Sequence, residues 1–122
     1  MSADPVFDHQ LDQVYRALAT TNRRWMIERL ADGDVSVLEL GEFFPMSFPA
    51  VVQNVHVLER CGLVHTLKKG RVRTCRLEAE TLRAAEVWLA RTLWSNARLR
   101  RGYLPQDMVW LGGFERPEGV DR

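Results

Sequence analysis

The segment 46–64 constrains the fold more than any other stretch, because it carries signals for both ends of one helix. Ser47 can cap a helix with its hydroxyl group, and Pro49 suits a first turn, where no amide proton is needed. Gly62 stops the helix, and an apolar strand begins immediately after it. Between these limits, apolar residues recur at i, i+4 and i+7 and predict one buried stripe: Val51, Val55 and Leu58. Residues 48–61 are therefore predicted to form an amphipathic helix.

A short basic segment follows this helix closely. Residues 68–76 contain five lysines or arginines and neither aspartate nor glutamate. The flanking segments 63–67 and 72–77 alternate around Lys69-Gly70, where glycine permits a turn. These features predict a basic β-hairpin over residues 63–77.

Three more helices are predicted before residue 46. Residues 6–19 carry apolar side chains at helical spacing, and residues 21–31 form a second helix that opens at Thr20 or Thr21. The pattern Ser36-Val37-Leu38-Glu39 is a capping box, so a short third helix runs to about residue 43. Pro45 ends that helix, so residues 36–61 are predicted to be helix, short turn, helix.

A long last helix is predicted over residues 79–100, with an apolar surface broader than a small domain covers alone. The segment 102–122 combines glycines with an apolar cluster around Trp110. We predict one domain over residues 1–101 and a tail, 102–122, that packs on the domain or joins an oligomer contact.

Composition points to an ordinary globular chain rather than a strongly charged one. The 122 residues carry a net charge of +1, and 46% of them are hydrophobic. No apolar run reaches the length of a membrane span, and Asp4, Asp8 and Asp12 argue against a signal peptide. We expect a cytoplasmic protein. The charge is unevenly distributed, since residues 68–76 and 91–101 are basic.

The reactive residue types form no catalytic or metal-binding motif. Cys61 and Cys75 are fourteen residues apart, which fits no zinc spacing. Two buried thiols are expected rather than a disulfide, and a redox role stays open. No glycine-rich phosphate loop and no Ser–His or Cys–His pair at a motif spacing is present. We therefore predict that the chain is not an enzyme and uses no cofactor.

A helix of groove size followed by a basic hairpin is typical of a winged helix-turn-helix domain that binds DNA. The predicted fold is mainly α-helical with a small β-hairpin, in the order α1-α2-α3-α4-β-β-α5. The predicted DNA-contacting residues lie at the cap, on the outward face of helix 48–61 and in the hairpin: Ser47, Ala50, Gln53, Asn54, His56, Lys68, Lys69, Arg71 and Arg73.

Several of these residues have an alternative explanation. The Gln53 amide can bond adenine in bidentate fashion, but it could equally be a solvated polar residue. Asn54 lies nearer the buried stripe and could satisfy a backbone group. His56 could meet a phosphate or have no role. Phe48, at the helix start, is expected in the core rather than against a thymine methyl group.

The positive charges have alternatives too. The charges of the hairpin could be an ordinary solvated run, although their place after the helix favours phosphate contact. Arg23 and Arg24 could reach the DNA backbone or pair with Glu28 along their helix.

From Leu18 to about Arg98 the chain resembles the ArsR/SmtB family of bacterial transcription regulators. The matching residues occur in one order along the chain: Leu18-Ala19, Asn22-Arg23-Arg24, Val37, Leu40, Ser47-x-Pro49-x-Val51, Val57-Leu58-Glu59-x-x-Gly62-Leu63-Val64 and Gly70-Arg71 with Leu77. The resemblance implies a homodimeric repressor that binds an inverted repeat. It also implies a dimer interface built by the first and last helices, for which we predict Leu11, Leu82, Ala85, Trp88, Leu89 and Leu93.

The chain departs from this family at two places. Founding members sense metals through cysteines on the third helix, at positions that here hold Ser36 and Leu38. Other members use histidines and carboxylates on the last helix, whereas residues 79–101 contain no histidine. Without thiolate or imidazole ligands there, we predict no metal sensor. The family often has a basic residue or histidine where Gln53 and Asn54 stand, so phosphate contacts should come more from the wing.

These observations together predict a sequence-specific, DNA-binding transcriptional regulator, a dimeric repressor with helix 48–61 in the major groove and hairpin 63–77 as wing. The alternative is a winged-helix interaction module whose basic face binds an acidic protein. The sequence names no small-molecule effector.

Overall fold

The structure, a computed structural model, describes the backbone of residues 5–95 and the side chains of residues 9–95. The elements follow the predicted order, with one short strand added before the third helix. They are α1 (Pro5–Ala17), α2 (Thr21–Ala31), β1 (Val35–Ser36), α3 (Val37–Glu42), α4 (Phe48–Arg60), β2 (Val64–Lys69), β3 (Val72–Leu77) and α5 (Ala79–Trp94). The winged helix-turn-helix fold predicted from the sequence is confirmed.

Helices α2, α3 and α4 begin directly after capping residues. The Ser47 hydroxyl accepts a hydrogen bond from the backbone N–H of Ala50 at 3.3 Å. Ser36 and Glu39 form the reciprocal capping box: the Glu39 N–H donates to Ser36 Oγ, and the Ser36 N–H donates to the Glu39 carboxylate. Thr20 caps α2 through the N–H of Arg23. These bonds satisfy amide groups that have no partner inside a helix.

The hairpin belongs to a three-stranded antiparallel sheet with the order β1-β3-β2. Strand β1 was not predicted, because two residues are too few to show an alternating pattern. It pairs Val35 with Cys75, and the nearby Asp34 accepts a hydrogen bond from Arg76 at 3.0 Å. Strand β3 is thereby the central strand, paired on both sides.

Residues 1–83 form one compact unit, and the division from the rest of the chain falls inside α5. The core of this unit collects apolar side chains from every described element before α5; the most completely buried are Met26, Leu40, Val51, Leu58, Leu63 and Cys75. The predicted stripe of α4 is buried, since Val55 joins Val51 and Leu58. The predicted domain limit at residue 101 and the tail, 102–122, lie outside the described residues.

Both cysteines are free and buried, as expected from the sequence. Burial, with a further contribution from the Glu59 carboxylate, raises the pKa of Cys75 to about 11. Burial also raises the pKa of Cys61. Both thiols therefore stay protonated and poorly nucleophilic near neutral pH.

Helix α5 buries Ala85, Ala90 and Trp94 and exposes Val87 and Leu89. The predicted extension of this helix to residue 100 lies outside the described residues. No described helix is long and apolar enough to cross a membrane.

Two glycines make a matched test of the backbone. Gly62, after α4, has a φ of +87°, whereas Gly41 in α3 has no positive φ. A methyl group added at Gly41 would meet Val51 at an ordinary contact distance of 3.5 Å. We expect Gly62→Ala to lower the free energy of unfolding by about 1–2 kcal/mol and Gly41→Ala to raise it by about 0.5–1 kcal/mol. Urea unfolding at one protein concentration measures both, and equal effects of the two changes would contradict the explanation.

Candidate nucleic-acid interface

The outward face of α4 is set by the burial of its opposite face. Because Val51, Val55 and Leu58 pack inward, an exposed stripe remains at i, i+4, i+7 and i+11: Pro49, Gln53, His56 and Arg60. Gln53 and His56 therefore point to solvent, as the sequence predicted. Arg60 was missed, although its spacing from Gln53 and His56 places it on the same stripe.

The other candidates on α4 occupy different positions. Ser47 is exposed at the cap of the helix, where its hydroxyl group accepts the Ala50 N–H. Ala50 and Asn54 are half-buried on the flank of the stripe, and Asn54 bonds Arg23 of α2. The structure therefore brings Ser47, Gln53 and His56 to the surface and leaves Ala50 and Asn54 beside it.

The polar atoms of Asn54 are engaged within the protein. Its side-chain NH2 donates to the Ala50 carbonyl oxygen at 2.8 Å and contacts the Met46 sulfur at 3.7 Å. Its carbonyl oxygen accepts a hydrogen bond from Arg23 at 3.0 Å. This side chain thus connects α4 to α2 and to the turn before α4.

Arg23 and Arg24 make contacts that neither sequence interpretation anticipated. Arg23 donates to the Ala17 carbonyl oxygen at 2.6 Å and the Arg16 carbonyl oxygen at 3.4 Å. Arg24 donates to the Leu18 carbonyl oxygen at 2.8 Å. The two arginines thus donate to carbonyl groups at and just after the end of α1, where cations are favoured. Sequence spacing could not reveal this helix capping, and contact of these arginines with the DNA backbone stays a prediction.

The wing carries its positive charge on exposed side chains. Lys68, Lys69 and Arg71 are exposed around the turn at Gly70, where φ is +63°. In the sheet register Lys68 stands directly opposite Arg73. Like charges in opposite positions destabilise a sheet, so this pair does not account for the stability of the hairpin.

A short hydrogen-bond chain fixes the wing to α4. Arg73 donates to the Thr66 hydroxyl oxygen at 3.0 Å, and that hydroxyl group donates to the Glu59 carboxylate at 2.6 Å. Glu59 lies on α4, whereas Thr66 and Arg73 lie on paired strands. The two parts of the candidate interface are therefore held in one arrangement, and Arg73 is partly occupied in holding it.

A groove of about 510 Å³ lies between α3, α4 and the wing. Its lining is mostly apolar, and the two arginines of the lining lie at the wing side. The lining residues are Ser36, Val37, Leu38, Phe48, Val52, Val55, His56, Glu59, Arg71, Val72 and Arg73. The expectation that Phe48 lies in the core is wrong, because 49% of this residue is exposed. The core next to the start of α4 is already filled by Val51, which leaves the Phe48 ring at the surface.

A second groove, of about 750 Å³, lies on the other flank of α4, against α1. Its lining includes three arginines, Arg16, Arg23 and Arg60. Helix α4 therefore lies between an apolar groove and a basic one.

The candidate dimer residues differ in exposure. Leu11, Leu82 and Leu93 are half-buried, Trp88 and Leu89 are exposed, and Ala85 is buried within the single chain. Among residues 9–95, no three His, Cys, Asp or Glu side chains group closely enough to hold a metal ion.

Comparison with known proteins agrees with this geometry. No protein-family model matches the chain. The HTH-type transcriptional regulator Rv2034 of Mycobacterium tuberculosis is 38% identical over 86 residues, which cover 70% of this chain and 79% of that protein. The crystal structure of the ArsR family transcriptional regulator RHA00566 is 40% identical, has a TM-score of 0.68 and matches 79% of this chain and 98% of that one.

Two further structures extend the likeness. An ArsR-like transcriptional regulator from Rhodococcus sp. RHA1 is 28% identical, with a TM-score of 0.64 over 70% of this chain and 81% of that one. A homodimeric winged helix-turn-helix domain from Mycobacterium bovis shares the fold at 22% identity, with a TM-score of 0.63 over 79% of this chain and 94% of that one. With its winged fold, its exposed helix stripe and these relatives, the chain belongs to the ArsR family of winged helix-turn-helix transcriptional regulators.

Proposed function

We propose that this protein is a dimeric repressor that binds an inverted repeat, with α4 in the major groove and the β2–β3 wing against the neighbouring backbone. The observation that carries the proposal is the exposed stripe of α4 lying beside an exposed cluster of cations. Gln53 and His56 stand on that stripe, and Lys68, Lys69 and Arg71 stand on the wing. A dimer bound across a promoter would block access of RNA polymerase.

The two parts of the interface would make different contributions. The wing cations would neutralise phosphates, which gives affinity for any DNA sequence and a steep dependence on salt. The Gln53 amide would hydrogen-bond a base edge, for which adenine has the matching donor and acceptor. Ser47 would meet a phosphate at the positive end of the α4 dipole.

In this proposal Asn54 does not contact a base directly. Its oxygen is bonded to Arg23 and its NH2 group to the Ala50 carbonyl. We therefore assign it an indirect contribution, which is to hold α4 at the angle that presents Gln53. Ala50, half-buried beside it, would allow close approach of the DNA through its small side chain.

Dimerisation would use α1 and α5. Leu82, Leu89 and Leu93 stand at i, i+7 and i+11 on α5, and 53% of Leu89 is exposed. Such a row forms one face of a helix that a second helix can cover. The Mycobacterium bovis domain is homodimeric, so this fold is able to dimerise.

The first test divides the DNA affinity between helix and wing, using a site selected from genomic fragments. We expect Gln53→Ala to cost about 1–3 kcal/mol on the selected site and little on random DNA. Arg71→Ala and Lys69→Ala should weaken binding to the selected site and to random DNA alike. Each should also flatten the salt dependence by about one unit of slope per lost phosphate contact. Fluorescence anisotropy over a salt series measures these quantities.

The outcomes of this test separate the proposal from its main competitor. Equal loss on selected and random DNA for Gln53→Ala would remove α4 as the source of specificity. Binding without any preference for a selected site would favour a module whose basic wing binds an acidic protein instead.

The second test concerns assembly. We expect sedimentation to show a dimer at micromolar concentration and Leu89→Glu to dissociate it, because a buried charge has no partner in that row. The matched control is Val87→Glu, which places the same charge on the same helix outside the row. A stable wild-type monomer would contradict dimerisation through α5.

A further inference from the structure

Three large apolar side chains gather at the groove between α3, α4 and the wing. Leu38 is 65% exposed, Val72 is 52% exposed, and Phe48 is 49% exposed. A single exposed apolar residue needs no explanation, but a contiguous patch marks a surface that binds something. Because the patch lies next to the exposed stripe of α4, its occupant should be the same molecule that the stripe contacts.

Phe48 has a position that suits contact with a base. It is the first residue of α4, directly after the Ser47 cap, and Val52 lies one turn later on the same side. In helix-turn-helix proteins the amino-terminal residues of the second helix contact base edges in the major groove. Gly41, on α3, lies close beside the ring, since a methyl group added there would meet Phe48 Cδ1 at 3.8 Å.

The charges around the patch select the kind of ligand. Arg71 and Arg73 border the groove on the wing side, and His56 borders it on α4. A ligand that matches this arrangement has an apolar group within a few ångströms of a phosphate. Thymine in duplex DNA has this combination, because its 5-methyl group projects into the major groove beside its own backbone.

We propose that Phe48, together with Val52, contacts the 5-methyl group of a thymine in each half-site and thereby determines part of the sequence specificity. The inference rests on the proposed function. Phe48 and Gln53 are five residues apart and project from different faces of α4, so they should contact different bases.

The experiment removes the methyl group and nothing else. In the selected DNA site, each thymine is replaced in turn by uracil, which keeps the base pairing and the backbone. We expect wild-type affinity to fall about fourfold for one methyl group at the contacted position and to stay unchanged elsewhere. Phe48→Ala should bind the thymine site more weakly and lose the difference between thymine and uracil at that position.

The matched control is Phe43→Ala. Phe43 is also an exposed phenylalanine, at 55%, but it lies at the end of α3 under the Arg29 guanidinium group and outside the groove. This variant should keep the full response to uracil. Phe48→Leu retains an apolar side chain and should keep part of the response to uracil. Circular dichroism checks that each variant is folded.

The outcomes distinguish this inference from the proposed function. A wild-type protein with no preferred DNA site would overturn both. Specific binding that is insensitive to uracil at every position, or a uracil response that Phe48→Ala retains, would overturn only the contact with thymine. In either of those cases the groove serves another occupant, because only a thymine contact depends on that methyl group.

Discussion

The burial of one face of α4 is the constraint on which the interface depends. Val51, Val55 and Leu58 fix the rotation of this helix about its own axis, because turning it would expose all three. With the rotation fixed, the exposed positions follow at helical spacing, and Gln53 and His56 are among them. Apolar packing in the core thus decides which polar groups a DNA groove would meet.

Hydrogen bonds at both flanks then hold α4 in that setting. On one side Arg23 joins the end of α1 to Asn54, and on the other side Glu59 joins α4 to the wing through Thr66. Each link connects segments that are distant in the sequence or belong to different elements. A change in α1 could therefore reach α4 through Arg23, without passing through the wing.

Two features of this region are unfavourable in the free protein and bear on the proposed function. Lys68 opposite Arg73, and exposed Phe48 beside Val72, are both unfavourable in the free protein. In the proposed complex each would become favourable, because phosphates would neutralise the cations and a methyl group would cover the ring. Phe48, Val72 and Arg73 line the same groove.

The sequence by itself determined the starts of α2, α3 and α4, the order of the helices and the hairpin, and the family, because caps, glycine stops and periodic apolar residues act over a few positions of the chain. It also placed Gln53 on the outward face. Only the tertiary structure decided the exposure of Phe48, the partners of Arg23 and Asn54, and strand β1. These depend on residues brought together from distant positions: Val51 already fills the core beside Phe48, Asn54 meets Arg23 across two helices, and β1 exists only because β3 offers it an edge.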